Sequence, residues 1–130
     1  GLAREGVNIT ICSRNRASLD MAAARIRNNT DADILCVEAN LSNLHDVRRL
    51  IETSVSYFGG LDILINNSGG PPAGTAQAAS EDEWQEAIQI SLLFFARMCR
   101  ESIPHLKNQG GGRIVNGIRD VNPEHNVSTA

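Results

Sequence analysis

Residues 61–70 read Leu61-Asp62-Ile63-Leu64-Ile65-Asn66-Asn67-Ser68-Gly69-Gly70, and this segment is the strongest indication of the fold class in the sequence. Its apolar run passes directly into two asparagines, a serine and two glycines. A short apolar run bounded in this way predicts a buried strand, most often in a parallel sheet. The polar residues after it predict either a ligand-facing strand end, as in open α/β sheets, or a simple Asn/Gly turn. The neighbouring segments distinguish the two.

The composition is that of one ordinary globular domain, with 130 residues, 42% hydrophobic and 21% charged. A net charge of -3 does not indicate the positively charged surface that nucleic acids require, so we expect no nucleic-acid partner. We also expect no membrane partner, because no apolar run approaches the ~20 residues of a membrane span. Cys12, Cys36 and Cys99 lie far apart, which predicts reduced thiols in a cytoplasmic protein. The histidines lack metal-ligand spacing, so no metal site is predicted.

Strand-like and helical segments alternate along the chain. The order (α)βαβαβαβ predicts an α/β fold with a doubly wound parallel sheet covered by helices on both faces. Residues 117–130 have weak periodicity and form an unassigned tail. The first half of the chain predicts a helix end at 1–6, a strand at 7–12, a helix at 17–28 and a strand from 34 to near 40. A helix follows that is capped by Ser42 and ended by Gly59-Gly60, and then a strand at 61–66. The last predicted elements are a long helix, which the capping box 80–83 opens and Pro104 ends, and a strand at 113–116.

Four motifs in this order resemble those of the short-chain dehydrogenase/reductase family, over residues 1 to about 116. They are the helix end Gly1–Gly6, the strand end Ile11–Asn15, the Asn66–Gly69 turn and the strand Gly112–Asn116. The resemblance implies one partial Rossmann-like dinucleotide-binding domain over 1–130. It also implies an oxidoreductase that transfers a hydride between NADPH and a small carbonyl or alcohol substrate.

The residues after the strand at 7–12 predict which nucleotide binds. In a dinucleotide fold, an acidic residue at the end of the second strand binds the ribose hydroxyls, whereas Arg there accommodates a 2′-phosphate. Here the position holds Ser13, Arg14 and Asn15, without a carboxylate. The planar fork of Arg suits phosphate, which favours NADP over NAD. The alternative is that Arg14 is simply a solvated residue before a helix.

Two further segments are implied by the resemblance to contact the adenosine half of the cofactor. Asn40, followed by Leu41, stands where the family has an Asp that contacts the adenine. Asn offers both a donor and an acceptor there. Asn67, Ser68 and Gly69 resemble the residues that run beside the adenine ribose, with Ser in place of Ala at residue 68.

The catalytic residues of the family have no counterparts in this sequence. By the resemblance, the catalytic Ser position holds Arg119 and the Asn of the long helix is replaced by Ser91. Tyr57 and Lys107 are the only tyrosine and lysine, and no Tyr-x-x-x-Lys motif exists. We therefore assign no catalytic residue, because proton transfer requires a titratable group positioned against the substrate.

The family's first strand and its glycine-rich phosphate turn are also missing. That strand lies between the strands predicted at 7–12 and 61–66, so both should expose unpaired edges. These two strands must pair with each other, pair with a strand from a partner, or be part of a longer protein. We therefore expect a homo-oligomer or an intact mass above 14.0 kDa.

Three interpretations of the chain remain. It is a fragment of an NADP-dependent enzyme, a truncated non-catalytic relative acting as an oligomerising or interaction domain, or a chain whose residues 117–130 join segments that are separate in the full protein.

Overall fold

A computed structural model describes residues 1–67 and 78–117. Ser68, Gly69, Arg119 and most of the tail lie outside the described residues, so the predictions made for them are not addressed by the structure. The elements in chain order are a 3-10 turn at Leu2–Glu5, β1 (Ile9–Ser13), α1 (Arg16–Arg27), β2 (Ile34–Glu38), α2 (Leu44–Phe58), β3 (Ile63–Asn66), α3 (Glu81–Ile88), a π-helical turn at Gln89–Leu93, α4 (Phe94–Asn108) and β4 (Arg113–Asn116).

The predicted order of elements is confirmed, with boundaries shifted by a residue or two. The first turn ends at Gly6 and α2 ends at Gly59, and both glycines have the positive φ typical of helix ends (79° and 83°). The capping box at the start of α3 is also confirmed. Ser80 accepts from the Glu83 N–H, and the Glu83 carboxylate accepts from the Ser80 N–H at 2.7 Å.

Two helix-end predictions are wrong. Asn43, not Ser42, caps α2, because the helix begins at Leu44, directly after Asn43. The Asn43 side chain accepts from the His45 N–H at 2.8 Å, and the Ser42 N–H donates to the side chain of Asn40. Pro104 lies inside α4, which continues to Asn108. The proline is exposed, so water can reach the carbonyl four residues earlier that it leaves without a helical partner.

The strands form two separate parallel pairs. β1 pairs with β2 in a register that places Ser13 opposite Glu38, and β3 pairs with β4 so that Asn66 lies opposite Asn116. Within the described residues β1 and β3 do not pair with each other. The expectation that these two strands keep unpaired edges is therefore confirmed, and direct pairing between them is excluded for this part of the chain.

Helices cover both faces of the first strand pair. Cys36 of β2 approaches the Leu19 carbonyl of α1, with its sulfur 3.9 Å from the oxygen. The next residue, Val37, belongs instead to the core cluster with Val47 and Leu50 of α2. Because successive side chains of a strand point to opposite faces, α1 and α2 lie on opposite sides of β2, as in a doubly wound fold.

A single hydrophobic core joins the two strand pairs through α2 and α4. Its members come from β2, the residue that follows it, β3 and these helices. An ion pair between Arg48 and Glu101 (3.2 Å) adds a polar link between the helices. The buried members of the core are Val37, Ala39, Val47, Leu50, Ile51, Leu64, Phe94 and Met98. The two pairs are thus held together by helices, without hydrogen bonds between β1 and β3.

A groove of about 870 Å³ is lined by both β1 and β3. We call it the inter-strand groove. Residues 8–12 of the first strand segment and 61–65 of the second contribute to its walls, and Leu50, Ile51 and Met98 of the core also line it. This lining is largely apolar, and it includes residues of β1 and β3, each of which is paired on one side only among the described residues.

Among the described residues, no helix has the length and apolar character that crossing a membrane would require.

Candidate functional site

The carboxyl ends of β1 and β2 bring two of the three predicted site segments together. The strands run parallel with Ser13 opposite Glu38, and the Ala39 N–H donates to the Ser13 carbonyl at 3.0 Å. Residues 13–15 and 40–41 therefore leave the sheet side by side. Ligands in open α/β sheets bind outside the carboxyl ends of the strands.

The segment after β1 is a tight polar turn that leads into α1. The Asn15 N–H donates to the Ser13 hydroxyl at 3.2 Å, and the Asn15 side chain caps α1 by accepting from the Ser18 N–H at 2.9 Å. These bonds explain why Ser and Asn occupy the two positions around Arg14. The turn is fixed by its own side chains and holds Arg14 at its tip.

Arg14 is exposed and has no hydrogen bond or ion pair within the described part of the chain. Its neighbour Arg16 differs, because it forms an ion pair with Asp20 at 3.0 Å, which raises the pKa of Arg16. Of these two guanidinium groups, Arg14 is therefore the one that has no partner in the described part of the chain. A free guanidinium with no carboxylate beside it in the turn is suited to binding a phosphate.

The segment after β2 contains a network that sequence reasoning missed. The Asn40 N–H donates to Asp46 Oδ2 at 2.9 Å, and the Arg49 guanidinium donates to Asp46 Oδ1 (3.2 Å) and to the Glu38 carbonyl (2.6 Å). The hydrogen bond from Asn40, and then that from Arg49, hold the pKa of Asp46 below its ordinary value. An acidic residue in the first turn of a helix was the available sequence signal.

The third predicted segment begins at the end of β3. Asn67 is exposed directly after the strand and lines the inter-strand groove together with Cys12 of β1. The groove thus reaches from the end of β1 to the end of β3. Ser68 and Gly69 lie outside the described residues, so of this segment the structure places Asn67 alone.

The end of the second strand pair is closed by internal hydrogen bonds. Asn66 is fully buried, and its amide nitrogen donates to Asn116 Oδ1 at 2.9 Å and approaches Cys99 Sγ at 3.7 Å. Across the described residues, the Asn66 side-chain oxygen has no hydrogen-bond partner. The contacts of Asn66 therefore connect β3 to β4 and to α4. The sequence motif did not indicate this structural role.

The residues discussed as catalytic candidates do not meet at this edge of the molecule. Ser91 lies in the π-helical turn, and its hydroxyl donates to the Ala87 carbonyl of the same helix. Tyr57 lies near the end of α2, about 20 Å along the helix from its first residue beside the site. Lys107 lies in the last turn of α4, just before the chain enters the opposite end of β4.

The residues present fit the adenosine half of a dinucleotide. The free guanidinium of Arg14 matches a 2′-phosphate, and the exposed side chain of Asn40 lies at the next strand end along the same edge. No carboxylate occurs in residues 13–15 or 40–41 to repel a phosphate or to bind ribose hydroxyls. Parallel strands, crossover helices and this polar edge are the features of a Rossmann-type α/β fold.

The sequence profile of the short chain dehydrogenases matches residues 1–118, so the chain belongs to the short-chain dehydrogenase/reductase family. Granaticin polyketide synthase ketoacyl reductase 2 of Streptomyces violaceoruber is 32% identical, over 88% of this chain and 46% of that protein. A short-chain dehydrogenase/reductase structure from Burkholderia xenovorans has a TM-score of 0.82 at 31% identity, and covers 88% of this chain and 45% of that one.

L-sorbose reductase from Gluconobacter frateurii, solved with NADPH and L-sorbose, is another similar structure. It has a TM-score of 0.81 at 29% identity, and the match covers 88% of this chain and 43% of the reductase. The chain spans between 41% and 46% of the length of curated relatives that it matches. The comparisons confirm the predicted family and its Rossmann-type parallel fold.

Proposed function

We propose that this chain is the adenosine-binding part of an NADP-dependent oxidoreductase, which transfers a hydride between NADPH and a carbonyl or alcohol substrate. The observation that carries the proposal is Arg14, whose exposed guanidinium at the carboxyl end of β1 has no partner among the described residues and no carboxylate in its turn. The similar L-sorbose reductase is described with NADPH bound, which supports the same nucleotide for this chain.

The nucleotide, when bound, supplies the hydride chemistry, and the residues of this chain bind and orient it. Arg14 pairs with the 2′-phosphate, Ser13 and Asn15 hold the turn that carries it, and Asn40 and Leu41 contact the base. Asn67, Ser68 and Gly69 run beside the adenine ribose. The sequence supplies no Tyr-x-x-x-Lys, so the proton-transfer step lies outside the function proposed for these 130 residues.

The phosphate contact is tested by comparing adenosine 2′,5′-diphosphate with ADP by calorimetry or ligand-observed NMR. We expect the 2′-phosphate to improve affinity by about tenfold, equivalent to about 1.4 kcal/mol. Arg14→Ala should abolish that preference. Arg16→Ala is the matched control and should keep it, because Arg16 is already engaged by Asp20. Equal affinity of the unsubstituted chain for both nucleotides would overturn the proposed NADP site.

A second candidate is a non-catalytic domain that acts through association. The unpaired edges of β1 and β3 and an exposed apolar stripe of Trp84, Ile88 and Leu92 favour it. On this proposal the chain forms a homo-oligomer that covers these surfaces, and nucleotide binding is weak. A 14.0 kDa monomer with a cooperative melt, measured by size-exclusion chromatography and intact mass, would contradict both an oligomer and a longer chain.

A further inference from the structure

Both strands that line the inter-strand groove leave one edge without a neighbour in the described part of the chain. In a parallel strand, the N–H and carbonyl of one residue point to the same edge, and successive residues alternate between the two edges. On β1, the Ile9 N–H and the Ser13 carbonyl bond towards β2, at 2.9 Å and 3.0 Å. The backbone groups of Thr10 and Cys12 therefore point to the other edge, and both residues line the groove.

The edge of β3 presents the same pattern to the groove. The Asp62 and Asn66 carbonyls accept from N–H groups on the β4 side, at 2.9 Å and 2.8 Å. The backbone groups of Ile63 and Ile65 therefore point away from β4, and these two residues also line the groove. Each edge thus presents alternating residues whose N–H donors and carbonyl acceptors match those of one further strand that bonds to both.

The buried core closes one face of the groove. Leu50 and Ile51 of α2 and Met98 of α4 line this face, and all three are buried. Leu64 of β3 belongs to the same core cluster and also lines the groove. Side chains that enter the groove from a bound strand would therefore meet apolar surface on this face.

Isoleucines flank the groove on the opposite face. Ile11 is in register with Cys36, whose sulfur approaches α1, so Ile11 points to the α1 side of its strand pair. Ile63 and Ile65 alternate with buried Leu64 and are 38% and 52% exposed, so they point away from the core. A strand between these edges would have apolar neighbours on both faces. Strands in that environment are near-continuous runs of Val, Ile and Leu.

We propose that the inter-strand groove binds an extended apolar peptide segment of another protein, which inserts as a strand between β1 and β3 and parallel to both. A crossover helix, α2, joins β2 to β3, and such connections link parallel strands. The edges at residues 8–12 and 61–65 are about 17 Å long when extended, which matches about five peptide residues. Main-chain hydrogen bonds would supply affinity, and packing of branched side chains would supply selectivity. This inference is independent of the nucleotide proposed above.

The first test uses a fluorescein-labelled peptide, Lys-Lys-Val-Ile-Val-Ile-Val-Lys, in which the lysines maintain solubility. Fluorescence anisotropy measures its affinity for the chain as it exists. N-methylation of the central valine keeps the apolar surface but removes a hydrogen-bond donor, so we expect the methylated peptide to bind at least about tenfold more weakly. Equal affinity for the two peptides would mean simple adsorption to apolar surface and would overturn the proposal, as would the absence of binding by the unmodified peptide.

A matched pair of variants tests where the peptide binds. Ile65 and Val115 lie opposite each other in the β3–β4 register and are 52% and 51% exposed. Ile65 lines the groove, whereas Val115 lies one strand further away. Ile65→Asn should weaken peptide binding by about tenfold, and Val115→Asn by less than about twofold. Equal losses in the two variants would contradict insertion between β1 and β3.

Amide hydrogen exchange, followed by NMR, tests the backbone bonds directly. The amides of Thr10, Cys12, Ile63 and Ile65 should exchange at least about tenfold more slowly when the peptide is bound. The amide of Ile11, which points towards β2, should change less. Protection of the four amides before peptide is added would mean that a second copy or more of the same chain already fills the groove. That result would overturn a peptide of another protein as its occupant.

Discussion

The polar side chains at the carboxyl ends of the two strand pairs differ in whether other residues already hydrogen-bond them. In the β1–β2 pair, the guanidinium of Arg14 and the amide nitrogen of Asn40 have no partner among the described residues and face solvent. In the β3–β4 pair, Asn66 is buried and bonded to Asn116 across the two strands. Free donors at a strand end are available to a ligand, whereas mutually bonded ones stabilise the fold. We therefore propose that the first pair serves recognition, whereas the second is mainly structural.

The largest predicted effect comes from breaking the core that joins the two pairs. Phe94 is buried in the cluster that contains Val37 of β2 and Leu64 of β3. Phe94→Ala should lower the free energy of unfolding by about 3 to 5 kcal/mol, since it removes buried apolar surface and leaves a cavity. Chemical denaturation measures the loss. Leu92→Ala is the control, because Leu92 is 64% exposed; an equal loss there would contradict the common core.

A smaller effect on stability distinguishes the buried amide of Asn66 from the exposed amide of Asn40. Asn116→Ala deprives the buried amide nitrogen of Asn66 of its oxygen acceptor, and we expect a loss of about 1 to 3 kcal/mol. Asn40→Ala should cost less, about 0.5 kcal/mol, because it removes only the exposed hydrogen bond from the Ser42 N–H to Asn40 Oδ1. Equal costs, measured by urea unfolding, would show that the two strand ends do not differ as described.

Helix capping gives a smaller effect and tests the corrected start of α2. Asn43→Ala removes the side chain that accepts from the His45 N–H and should cost about 1 kcal/mol. Ser42→Ala should cost less than about 0.5 kcal/mol, because Ser42 enters the loop network through its backbone N–H and carbonyl. Thermal denaturation of the two variants distinguishes the cap predicted from the sequence, Ser42, from the cap in the structure, Asn43. A larger loss for Ser42→Ala would reinstate the original prediction.

Local patterns predicted the order of elements, the strand at 113–116 and the capping box at Ser80, because each depends on residues close together in sequence. The same reasoning missed the bond from Arg97 to the Ser42 carbonyl, which joins residues far apart in sequence that only the packed fold brings together. The π-helical turn around Ser91 was missed because its apolar spacing matches that of an ordinary helix. The position of Arg14 at the strand end was predicted from the sequence, whereas Asp46 was missed because its hydrogen bond with the Asn40 N–H depends on the geometry of the loop between β2 and α2.

The smallest predicted effect is a pH dependence confined to the β1–β2 side of the molecule. Hydrogen bonds from the Asn40 N–H and from Arg49 lower the pKa of Asp46 below its ordinary value of 3.8. A carboxyl group whose pKa is lower in the folded state contributes stability above its unfolded pKa, and that contribution disappears as the pH falls through the folded pKa. Asp46→Asn should therefore be less stable than the unsubstituted chain near neutral pH.

The difference in melting temperature between the two chains should narrow once the pH drops below about 4. Glu83 and Glu101 also have lowered pKa values, but both chains contain them, so their contributions cancel in the comparison. Asp31→Asn serves as the control, since Asp31 is exposed and bonds to no residue in the described part of the chain. A difference that stays constant from about pH 7 to about pH 3 would mean that the charge of Asp46 does not stabilise the β2–α2 loop.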